Sequence, residues 1–265
     1  MQNRDGRALA RENEIRVLRA LHRFGWLRTR DVAALAWQRW ARNPTTEPSL
    51  RRPMPTATGL RMAQRTLKRL REKRQVLRSR APDGSLIYAL AEAGARILKQ
   101  NGVAAITGKD QMRTFSSAHY RHRCIANEIA VGAIVEGFRT ATEREVAQGL
   151  WLGGEDSIAG KKPDVLLRGD GRVWWVEVER SRKNARDYGR LLQWLGVVGR
   201  DAFRQSGPEL LRDGLRWAKV VFICTEAFCA RLCRDLAAAG WKKNHIDTLL
   251  RFEMSLYTFE DISFS

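Results

Sequence analysis

The 265-residue sequence predicts an α/β chain, α+β overall: helices closed by a β-hairpin, then a mixed sheet flanked by helices. Three observations carry this expectation. Apolar residues before position 75 recur at helical spacing. A Pro82-Asp83-Gly84 turn separates two strand-like runs. Beyond position 119, strand-forming runs alternate with helical patterns.

The elements follow in order. Residues 8–24 place Ile15, Val17, Leu18, Leu21 and Phe24 among Arg and Glu, a helical pattern that Gly25 ends. Thr29 suits the N-cap of a second short helix. Residues 41–57 hold Pro44, Pro48, Pro53 and Pro55 and form a loop. A third helix over 58–73 buries Leu60, Ala63, Leu67 and Leu70 on one stripe. Residues 76–80 and 86–90 make the hairpin, and a helix covers 92–100. This gives a first domain over 1–100 and a linker over 101–118, with Gly102, Gly108, Ser116 and Ser117. The second domain, 119–265, starts with a helix over 119–138. Strands are expected at 140–147, 164–168, 173–180 and 219–225, and helices at 185–195 and 227–239. Residues 246–252 and 256–259 are rich in strand formers.

Charge divides the chain the same way. Lys and Arg total 48 against 29 Asp and Glu, a net +19. Residues 1–110 hold 24 basic and 9 acidic residues, whereas the remainder holds 24 and 20. A basic first domain beside a nearly balanced second one implies a polyanion partner, nucleic acid before an anionic membrane. No apolar run is long enough to span a bilayer, and the N-terminus leads into a charged helix rather than a signal segment. The expected location is therefore the cytoplasm. Cys124, Cys224, Cys229 and Cys233 form no CxxC pair and read as free thiols. His119, His122 and Cys124 lack a fourth zinc ligand.

Helix, helix, basic helix, hairpin is the order of a winged helix-turn-helix, whose third helix offers its polar face to a major groove of double-stranded DNA. Arg61, Arg65 and Lys68 fall at i, i+4 and i+7. Gln64 and Arg65 have the chemistry to read adenine and guanine edges. Lys68, Arg69, Lys73 and the hairpin's Arg78 and Arg80 suit phosphates. The proline-rich insertion before this helix is longer than the usual turn.

The second domain carries acids. The alternation of 173–179 sets Trp175, Glu177 and Glu179 on one face, and Trp174, Val176 and Val178 on the other. Like charges on an apolar strand repel and lose hydration. A divalent cation between them and Asp164 would relieve that cost, and oxygen ligands suit Mg²⁺ or Mn²⁺. Trp174 and Trp175 read as core, with an exposed Trp175 as a possible base-stacking platform. Glu143 and Glu145 share a face of the strand expected at 140–147.

Pro163-Asp164, then Glu177-x-Glu179 after 12 intervening residues, resembles the PD-(D/E)xK nuclease superfamily. The resemblance implies a restriction-endonuclease-like mixed sheet. It also implies metal ligands at Asp164, Glu177 and Glu128, and catalytic roles for Asp164, Glu177, Glu179 and Lys183. The departure is Glu179, where that superfamily usually has Lys; Lys183 is the expected source of the displaced positive charge. A closer resemblance is to the replication-relaxation, or MobC-like, family of plasmids and integrative elements. It rests on residues 64–70 before the hairpin, residues 88–94 after it, His119, Asn127-Glu128, Pro163-Asp164, residues 177–179 and Tyr188. It implies a DNA-binding accessory of mobile-element mobilisation or replication, beside a relaxase or replication protein and possible as a homodimer. An active Mg²⁺-dependent endonuclease or nickase and a transcriptional repressor are the alternatives.

Overall fold

Residues 6–24 form the first helix because apolar side chains return every three to four positions on a charged background, and a capped start fixes its register. The computed structural model describes residues 5–113, 117–179 and 184–254. In it α1 runs Gly6–Phe24, with Asp5 capping Arg7 N–H. Gly25 follows in a positive-φ conformation that suits glycine. Then come β1 (Trp26–Arg28), α2 (Thr29–Trp37) and α3 (Ala57–Glu72), the last capped by Thr56. The hairpin strands β2 (Val76–Arg80) and β3 (Leu86–Leu90) have the bounds expected from sequence. Helices α4 (Glu92–Gln100), α5 (Lys109–Arg113) and α6 (Ser117–Val135) follow.

The chain separates into two compact units. The first comprises residues 5–41 and 52–135, and the second comprises 42–51 and 136–254. The sequence divides the chain instead near 119, so α6 falls on the other side of the division. Its bonds explain why. Asn127 Nδ2 donates to Trp26 O at 3.1 Å, Arg123 Nη2 donates to Phe24 O at 3.0 Å, and Tyr120 stacks on Trp26. In this unit β3 lies between β1 and β2, antiparallel to both. Val17, Leu18, Leu21 and Phe24 of α1 and Ala63, Leu67 and Leu70 of α3 are all buried in its core. Leu60, expected in the same stripe, is half-buried.

In the second unit, strands β4 (Arg139–Ala141), β5 (Val165–Gly169), β6 (Arg172–Val178), β7 (Arg216–Ile223) and β8 (Leu250–Glu253) lie in chain order across one mixed sheet. β4, β5 and β6 are antiparallel; β6, β7 and β8 are parallel. Helices α8 (Ala185–Ala202), α9 (Glu226–Ala238) and α10 (Lys243–Leu249) share a core with this sheet. At its centre Trp175 meets Trp151, Trp194 and Trp217. Residues 42–51 of the proline-rich loop belong here too. Arg251 donates to Pro48 O at 3.0 Å, and Ser49 N–H donates to Glu136.

Three expectations are corrected. Residues 140–147 are not one strand: α7 (Glu143–Ala147) starts after β4, because Thr142 and Glu145 form a reciprocal capping box. Residues 246–252 begin as α10 and become strand only at Leu250. Trp175 is fully buried and presents no face to a base. Residues 256–259 lie outside the described residues.

Candidate functional site

Two constellations come from the sequence, one in each unit. The first is the polar face of α3. Burying Ala63, Thr66, Leu67 and Leu70 turns Arg61, Gln64, Arg65 and Lys68 outward, and all four are exposed. Arg69 and Lys73 differ. Glu14 of α1 accepts from Arg69 Nε at 3.3 Å and from Lys73 Nζ at 2.9 Å, so part of their charge is neutralised inside the unit. Arg78 and Arg80 are exposed on β2, the outer strand, where Arg78 stands opposite Tyr88 and Arg80 opposite Leu86. The hairpin turn is held from α6, since Tyr120 OH donates to Asp83 Oδ2 at 2.7 Å. Hydrogen bonds from Tyr120 and Ser85 lower the Asp83 pKa despite the opposing effect of burial. An exposed cationic helix and a braced, arginine-bearing strand attract polyanions.

The second constellation lies where β5 and β6 run side by side. Asp164 N–H donates to Val176 O, and Asp164 Oδ2 accepts from Val178 N–H at 2.7 Å. Glu177 and Glu179 are both buried. Glu177 Oε1 accepts from Trp175 Nε1 at 2.5 Å, and its Oε2 accepts from Lys161 Nζ at 2.6 Å. Burial pushes the Glu177 carboxyl up to about 7, with Lys161 pulling it down and Asp164 pushing it further up. Lys161 is raised: burial works against its charge, but Glu177, Asp164 and Glu179 outweigh it. The Lys161 loop is fixed by a bridge between Ile158 and Lys161 and by Trp194 Nε1 donating to Ile158 O at 3.0 Å.

The family match spans both constellations. The replication-relaxation family model covers residues 45–193, more than half of the chain, from the proline-rich loop through α3, the hairpin and both carboxylate strands into α8. The chain belongs to the replication-relaxation family. Neither the curated proteins nor the solved structures compared with it gave a match.

Within this family member the remaining site expectations resolve unevenly. Glu128 is buried in the first unit and accepts from Arg28 Nη2 at 2.7 Å and Arg52 Nε at 3.2 Å. Asp31 adds two bonds to the Arg28 guanidinium, at 3.0 Å each. Asp164, Glu177 and Glu179 belong to the second unit. Lys183 lies outside the described residues. Among the described residues, no group of three or more His, Cys, Asp and Glu is placed to hold a metal ion. All four cysteines are free thiols. Among the described residues no helix is long and apolar enough to cross a membrane.

Sequence reasoning missed Lys161. A lysine two residues before Pro163 is a signal only if its loop folds back on β6, and that depends on the Trp194 anchor. It also missed the engagement of Arg69 and Lys73 by Glu14, which joins helices far apart in sequence.

Proposed function

We propose that this chain is a double-stranded DNA-binding accessory of mobile-element replication or mobilisation. Its first unit acts as a winged helix-turn-helix, and its second is a PD-(D/E)xK-like domain that does not cleave. The carrying observation is the exposed line of Arg61, Gln64, Arg65 and Lys68 on a helix whose opposite face is buried. Supporting it, the order α1, α2, α3, β2, β3, with β1 completing the sheet, is that of a winged helix, and Arg78 and Arg80 sit on the wing. In this reading α3 enters the major groove, Gln64 and Arg65 meet base edges, and Lys68, Arg78 and Arg80 meet phosphates. Arg69 and Lys73 contribute less, because Glu14 holds them. Membership of the replication-relaxation family supports the link to replication or mobilisation, with a relaxase or replication protein as companion.

For the second unit, Mg²⁺ or Mn²⁺ fits the residues poorly. Both oxygens of Glu177 are taken by N–H donors, one of them an ammonium. A buried carboxylate is stable once its charge is paired and its lone pairs are bonded, and Lys161 does here what a cation would do. The antiparallel-then-parallel sheet, with Asp164 just before β5 and Glu177 on the central strand β6, supports a nuclease-like ancestry, and the Lys161 pair supports a loss of cleavage.

Footprinting on the DNA of the element that carries the gene tests the role. Protection of a transfer or replication origin is expected. Protection confined to the gene's own promoter would make the protein a repressor instead.

A further inference from the structure

A groove of about 670 Å³ runs along the first unit between α1 and the end of α2. Its floor and far wall are apolar: Ile15, Ala20 and Phe24 from α1, with Leu35 and Trp40 opposite. Its rim is cationic, with Arg11, Arg16, Arg19 and Arg23. The one acid among the lining residues is Glu12, which pairs with Arg16 at 3.4 Å. Arg16 also donates to Ala36 O at 2.9 Å, which ties the two walls together. Trp40 is 45% exposed, and its Nε1 already donates to Leu35 O at 3.1 Å. The indole therefore has its polar edge satisfied inside the protein and offers an apolar face to the groove.

We infer that this groove docks an acidic amphipathic helix of a partner protein, with large apolar side chains on Ile15 and Trp40 and carboxylates against Arg11 and Arg19. The length fits. From Ala8 to Arg23, α1 advances about 22 Å at 1.5 Å per residue, room for about four turns of a bound helix. Helix-in-groove recognition uses such a pairing: apolar anchors at i, i+3, i+4 and i+7 on a floor, with charges at the edges. The charge selects the partner's sign and speeds its arrival. Nucleic acid is the weaker occupant, because a phosphate backbone would use the arginines but leave the Trp40 and Ile15 surface without an apolar partner. The inference goes beyond the DNA-binding proposal and uses none of the residues assigned to it.

The test uses the full chain and two labelled synthetic helices of about 16 residues. Both carry Leu on one face; one has Glu and the other Lys on the opposite face. Fluorescence anisotropy is expected to show binding of the Glu helix but not the Lys helix. Arg11→Glu with Arg19→Glu should weaken the Glu helix by at least about tenfold and admit the Lys helix. Both positions are exposed, so circular dichroism of the variant should match the parent. Arg65→Ala with Lys68→Ala should leave the Glu helix bound, which separates this groove from the DNA face and from unspecific attraction to a basic protein. Absence of binding to the parent chain would overturn the inference. So would binding indifferent to charge reversal at Arg11 and Arg19, or a DNA duplex whose binding is lost in that same variant while the helix is unaffected.

Discussion

Lys161 Nζ stands 2.6 Å from Glu177 Oε2, so the carboxylate the sequence marks for a metal is paired with an ammonium from the preceding loop. The Glu177 side chain is 5% exposed and that of Lys161 23%. Removing one partner of such a pair leaves a charge without its counter-charge, which is costlier than removing both. Lys161→Met is expected to lower stability by about 2 kcal/mol at pH 8, below the usual buried-pair figure because Lys161 keeps some solvent exposure. Adding Glu177→Gln should recover most of that loss. Urea unfolding measures both, and equal losses in the single and double variants would contradict the pairing.

The pH dependence follows from the same pair. Burial raises the Glu177 carboxyl from its ordinary 4.5 to about 7, so the folded state holds this proton more tightly than the unfolded one. The stability that proton contributes is full below about 4.5 and is lost as pH rises through about 7. Glu177→Gln cannot make this exchange. The stability difference between parent and Glu177→Gln should therefore shift against the parent from pH 4.5 to pH 8, by on the order of 2 kcal/mol. A difference that stays constant over the range would refute the assignment.

Metal addition and removal should leave the protein's behaviour unchanged. Supercoiled plasmid incubated with the protein and Mg²⁺ or Mn²⁺ is expected to remain supercoiled, and EDTA should not alter DNA affinity. Nicking that disappears in Asp164→Ala and Glu177→Ala would establish a nuclease in place of the non-cleaving domain proposed above.

Gly94 packs α4 against the turn before the hairpin. A Cβ there would sit on Gln75 O, the carbonyl that accepts from Ala91 N–H, and 2.8 Å from Leu90 Cδ1. Both neighbours are constrained, Gln75 by its backbone and Leu90 by full burial. Gly94→Ala should cost on the order of 2 kcal/mol despite alanine's better helix propensity. A gain in melting temperature would show that this packing yields.

Local patterns carry much of the fold. Leu67 and Leu70 at helical spacing, the Pro82-Asp83-Gly84 turn and the alternation at Trp174, Trp175, Val176 and Glu177 are short-range signals, and the structure has α3, β2, β3 and β6 there. Thr142 and Glu145 also give a local signal, a capping box, but Thr140 and Val146 around them suggest a strand. What stays hidden depends on distant partners. Nothing near Glu128 announces Arg28 and Arg52, and nothing near Glu177 announces that the Lys161 loop returns to it. Proximity in sequence assigns helix α6 to the strands that follow it; its bonds to Phe24, Trp26 and Asp83 draw it to the first unit.

The most direct test of DNA holding by α3 is the salt dependence of affinity for a double-stranded origin fragment, comparing the parent with Arg65→Ala plus Lys68→Ala. Each phosphate that the protein no longer neutralises takes close to one counterion out of the slope of log K against log salt. The double variant should bind more weakly and show a slope shallower by about 1 to 2. Affinity and slope both unchanged would contradict the placement of this helix on DNA.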